Sequence, residues 1–218
     1  MITETIITPL RLVFWGGLIC LFDLNFSQTT NGRGFIFDVL NDAVGMILIS
    51  TGVFRLGSCQ VNDRYEKVML FVKVVAVLAT LDAFRAHIIT PLPAAVSFVL
   101  HILGIANLAA IIAFCYSMKW LSSSTRLTAS ESSWRTTTML FIFIYAVPLG
   151  IVHLMGAASI VTGTSFSFNM GPAGLLLLPV FAIPIVHLFV STSRMQREAE
   201  SGDKSFDEWA GTPGSDHR

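Results

Sequence analysis

Asp23, Asp38, Asp42, Asp82, Arg85, His101 and His153 are ionisable residues set among long apolar runs. A charged or titratable side chain inside a bilayer is costly, so each calls for a partner or a function. Carboxylates in that position can hold a proton, a small cation or a polar solute. Two histidines at one depth can hydrogen-bond within the core, or ligate a b-type haem or a metal ion. Asp82 and Arg85, three apart on a helix, can pair directly. Asp38 and Asp42, four apart, repel on a bare helix, and Arg85 reaching Asp42 would relieve both spans. The plainer reading is that these charges only fasten neighbouring helices together.

The apolar runs must position these groups. Hydrophobic residues make up 53% of the 218 residues and charged ones 13%, about half the charge of a soluble domain. The runs are long enough to cross about 30 Å of hydrocarbon as helices. The sequence therefore predicts an all-α polytopic membrane bundle with six spans, at about 10–26, 35–56, 68–89, 94–118, 136–161 and 171–192. Polar loops separate them, including Ser27–Gly34 and a Ser/Thr-rich segment from Leu121 to Arg135. The tail, 194–218, is polar, contains Gly and Pro, and reads as disordered. Arg11 before an apolar run imitates a signal peptide, but no small-x-small cleavage site follows, and a retained first span is expected.

A net charge of zero conceals an asymmetry that orients the bundle. Arg11, Arg55, Arg64, Lys67, Lys119, Arg126, Arg135, Arg194, Arg197, Lys204 and Arg218 fall on the side of the termini. Arg33 and Arg85 fall on the other, and Lys73 lies within a span. Cytoplasmic loops retain positive charge, so both termini are expected inside the cell.

Helical spacing sorts the faces. Asp38, Asp42, Gly45, Ile49, Gly52 and Leu56 share one stripe, and Ile36, Leu40, Ile47 and Phe54 share the opposite one. Small and acidic residues belong against protein, and large apolar ones against lipid. Ser97, His101 and Gly104 share a stripe on the fourth span, as do Gly150, His153 and Ala157 on the fifth. Counted at 1.5 Å per residue, Asp42, Asp82, Arg85, His101 and His153 lie roughly 7 to 14 Å below the outer ends. Lys73 lies on the other face of its span, where it can snorkel to the cytoplasmic end. Cys20, Cys59 and Cys115 have no ligand spacing and read as free thiols. Pro148, Pro179 and Pro184 predict kinks.

The opening, with D-x-N at Asp23 and Asn25, F-D at Phe37-Asp38 and D-x-x-G from Asp42 to Gly45, resembles the start of small, uncharacterised bacterial multi-spanning membrane proteins. The likeness covers the first 57 residues and implies a bacterial inner-membrane location but no activity. From the residues themselves, the leading expectation is a module that binds or moves a small polar solute, proton or cation through an outer-leaflet polar layer. The alternatives are a redox subunit holding haem or a metal between His101 and His153, and a structural subunit of a membrane complex. No H-E-x-x-H, G-x-S-x-G or Gly-rich phosphate loop supports an enzyme. The expected partners are the bilayer and other membrane subunits or a second copy, not nucleic acid.

Overall fold

Helices carry the architecture, with one small sheet beside them. A computed structural model describes residues 3–21, 25–30, 33–38, 42–59, 61–89, 91–164 and 173–210. A π-helical turn, Thr3–Ile7, leads into α1 (Thr8–Leu21). Strands β1 (Asn25–Thr30) and β2 (Arg33–Asp38) pair antiparallel, from Asn25 opposite Asp38 to Thr30 opposite Arg33. Then come α2 (Asp42–Leu56), α3 (Asp63–Ala86) and the short β3 (Ile88–Ile89), which adds to β2. Next are α4 (Ala94–Ser124), α5 (Thr128–Leu140), a π-helical segment Phe141–Ala146, α6 (Val147–Thr162) and α7 (Ala173–Ala210).

The helix ends have local causes. Asn62 caps α3, its side chain accepting the Tyr65 N–H at 2.8 Å, which satisfies one donor left open in the first turn. Gly163 ends α6 at a φ of 68°, a left-handed conformation that costs glycine little. The last carbonyls of α2 are met from α3. Tyr65 Oη donates to Leu56 O at 2.6 Å, and Lys73 Nζ to Gly57 O at 3.0 Å. Lys73 thus sends its charge to the termini end, where a helix C-terminus favours a cation.

Close approach of backbones sets the α1–α2 pair. A Cβ on Gly16 would lie 2.5 Å from Gly45 O, and one on Gly52 2.6 Å from Pro9 O. The buried stripe of α2 is Ala43, Gly45, Gly52, Val53 and Leu56, while Ile47 and Phe54 are exposed. At the termini end Ile7, Leu10, Leu56, Tyr65, Met69, Met118, Trp134 and Met195 form the tightest core. Elsewhere large apolar side chains face outward: Leu70 is 62% exposed, Leu81 60%, Leu154 59% and Val161 73%.

Among the described residues two helices are long and apolar enough to cross a membrane: α4, and the continuous helix Thr128–Thr162 made of α5, the π segment and α6. Pro148 explains the π segment. It lacks an N–H and its ring crowds the turn before it, and the chain widens there, with Val147 N bonding Ile142 O.

The structure revises several boundaries. Residues 33–38 are strand rather than the start of a helical span or a polar turn, because Phe35, Ile36 and Phe37 favour extended backbone and find partners in β1. Helix α2 consequently starts at Asp42 and α1 ends at Leu21, short of the expected 26. The third span, expected at 68–89, is helical from Asp63 to Ala86 and then extended. The Ser/Thr-rich segment is helical except for Thr125–Leu127, where Arg126 turns the chain at a φ of 60°. The tail, expected to be disordered from 194, continues as α7 to Ala210. Met195 and Ala199 are buried in the core, and Arg11 on α1 meets Glu200 at 3.5 Å, so the extension is held by packing that its composition does not reveal.

Candidate functional site

Helices α4 and α6 each carry the same four-residue pattern: His101-Ile102-Leu103-Gly104 and His153-Leu154-Met155-Gly156. The tight turn at 125–127 makes the two antiparallel, so residues three apart on one helix meet residues three apart on the other in reverse order. A Cβ on Gly104 would overlap the ring of His153, and a Cβ on Gly156 would overlap the ring of His101. Each imidazole therefore stands on the backbone of the facing glycine. This reciprocal seating brings Nδ1 of His101 to 3.4 Å from Nδ1 of His153. The rings are 5.6 Å apart at their centroids and inclined by 65°.

Nitrogen facing nitrogen allows one proton between the two. One ring donates N–H and the other accepts on its lone pair. A second proton added to an outer Nε2 keeps that bond and makes it charge-assisted, whereas N–H groups on both inner faces would oppose each other. Chemically, such a pair can accept one additional proton without breaking the hydrogen bond between its rings. A haem does not fit this arrangement. Ligation by two imidazoles requires the macrocycle between the rings, and here each ring touches the other and the opposite glycine. Among the described residues no group of three or more His, Cys, Asp or Glu side chains is gathered for a metal, so the set for a four-coordinate zinc site is also lacking there.

The acidic candidates separate into different surroundings. Arg85 Nε donates to Asp82 Oδ1 at 2.6 Å, the pairing that their spacing predicts. Both side chains are about a third exposed, at 39% and 33%, and an ion pair that open contributes little in water-like surroundings. Asp42 opens the first turn of α2, where the helix dipole favours an anion. Its carbonyl lies 3.7 Å from Cys20 Sγ of α1. Asp38 ends β2 opposite Asn25, so it does not continue the α2 stripe, and its helical repulsion with Asp42 does not arise. Asp23 lies outside the described residues, as does Asn41.

A second polar cluster joins α5 to α7. Ser133 Oγ lies 2.7 Å from Ser191 Oγ, which lies 2.7 Å from Thr137 Oγ1, which in turn lies 2.8 Å from His187 Nδ1. Thr137 Oγ1 also donates to Ser133 O at 3.0 Å. Every hydroxyl in this chain has a partner, so it binds helices together rather than presenting a free nucleophile. Farther along, Glu198 accepts Ala129 N–H at 3.2 Å and Ser130 N–H at 2.9 Å. It caps the open N-terminus of α5 from another helix. The spacing of Ser130, Ser133 and Thr137, three and then four, marks one helix face and was the available signal for this seam.

Compared with protein-family models, curated proteins and solved structures, the chain matches none.

Proposed function

We propose that this chain is a polytopic membrane protein, with six spans and both termini in the cytoplasm, that binds a proton in the outer half of the bundle and passes it between His101 and His153. The facing Nδ1 atoms, 3.4 Å apart over reciprocal glycines, carry this reading. A pair serving only as packing does not need two nitrogens in contact. The outward apolar faces of α3 and α6 favour lipid around the bundle, since a soluble chain rarely leaves such surface uncovered. A bacterial inner membrane fits the resemblance of the first 57 residues. Asp82 and Arg85 supply neighbouring charge at the same end of the bundle, and Asp42 a carboxylate at the start of α2. Histidine is suited to the role because it changes charge between about pH 5 and 8.

The test is proton movement into vesicles containing the purified protein, driven by an imposed potential and followed with an internal pH-sensitive dye. Wild type is expected to acidify the lumen above the rate of empty vesicles. His153→Gln and His101→Gln are each expected to abolish that excess while keeping the helical content. Thermal stability gives a second readout: its pH dependence across this range should shrink equally in both single variants and no further in the double variant. Flux and pH response retained in either variant would remove the pair from the function.

Topology is tested by labelling from outside intact cells. A cysteine at Thr164, exposed beyond α6, should react with a membrane-impermeant maleimide, and one at Ser123 should not. The native Cys59 adds little background. Burial pushes the Cys59 thiol up from its ordinary value, which keeps the reactive thiolate scarce. Labelling at Ser123 and not at Thr164 would invert the orientation.

A further inference from the structure

Away from the histidine pair, the bundle holds a cavity of about 360 Å³ that is open along part of its wall. Helices α1 to α4, the π segment and α7 all contribute to its wall. Val13, Ile49, Val75, Ala79 and Phe114 typify an apolar lining, and among the described residues its one amide is Asn107 of α4. Among the described residues no hydrogen bond reaches the Asn107 side chain. An engineered apolar cavity of about 150 Å³ stays dry and binds benzene; this one is more than twice that size. Water would find too few polar partners there.

We infer that the cavity is a binding site for an uncharged, single-tailed amphiphile: an apolar body against the aliphatic wall, and one oxygen hydrogen-bonded to Asn107. The volume lies in the range of small-molecule pockets, and the amide supplies the orienting polar contact such pockets use. Among the described residues no charged side chain lines the wall, so the phosphate of a bilayer phospholipid has no partner among them. The site uses neither histidine and stands independently of the proton reading.

The probes are decan-1-ol, decane and dipalmitoyl phosphatidylcholine, added to purified, delipidated full-length protein and read by native mass spectrometry and melting temperature. Decan-1-ol is expected to bind saturably at one per chain and to raise the melting temperature. Decane should bind about tenfold more weakly, the cost of one hydrogen bond of about 1.4 kcal/mol. Asn107→Leu should erase the preference for the alcohol while leaving decane binding intact. Ala110→Phe, which fills the cavity from α4, should weaken both. Ala79→Val, a smaller filling from α3, should do so in part if Ala110→Phe does not fold. Equal binding of alcohol and alkane by wild type overturns the role of Asn107. Undiminished binding in the folded cavity-filling variants overturns the site itself, and saturation by the phospholipid in preference to decan-1-ol overturns the proposed ligand class.

Discussion

Gly45→Leu should lower the melting temperature of the detergent-purified protein more than any substitution on the opposite face of the same helix. The reason lies in the α1–α2 crossing. A Cβ at Gly45 would already lie 2.5 Å from Cys20 Sγ and 2.8 Å from Gly16 O. Rotating Cys20 can relieve the first, but the second is with main chain and needs the helices to move. Three further carbon atoms must force the helices apart, and overpacking of this kind costs about 1–3 kcal/mol or more. Separation also removes the small-residue contacts on which helix association in lipid depends. Ile47→Leu, at a position 44% exposed, conserves volume on the outer face and should cost well under about 1.5 kcal/mol. Equal melting temperatures for the two variants would mean that α1 and α2 do not meet through their glycines.

Ser191→Val should be the next most damaging change, although it adds no charge. Ser191 is fully buried and joins Ser133 to Thr137. Valine there replaces the bridging hydroxyl with methyl groups and strands Ser133 Oγ, whose partner it was. Leaving a buried polar group without its bond costs roughly 1–3 kcal/mol. Replacing Ser133 as well, in a Ser133→Ala and Ser191→Val double variant, should recover part of the loss, because both ends of the broken bond are then apolar. Strict additivity in melting temperature would show that the two hydroxyls do not interact. Measured beside these, Arg85→Ala should be mild, since its pair with Asp82 is open to the surroundings.

The helical seam of α2 was legible in the sequence because a 3.6-residue period places Gly45, Gly52 and Leu56 on one side whatever the rest of the chain does. The same period put His101 and Gly104 on one face of α4, and a spacing of three on α3 put Asp82 beside Arg85. Local rules reach that far. They did not place Asp38, whose strand conformation depends on a partner in β1, nor the order of residues 194–210, which α7 gains by burying Met195 and Ala199. The reciprocal seating of His101 on Gly156 and of His153 on Gly104 also lay beyond sequence reading. It requires the register between two antiparallel helices, and that register is set by the length of the α4–α5 turn and the π segment before Pro148. Composition and period thus determined that helices form and which faces they bury. Contacts between residues 52 apart in the chain decided where two imidazoles share a hydrogen bond.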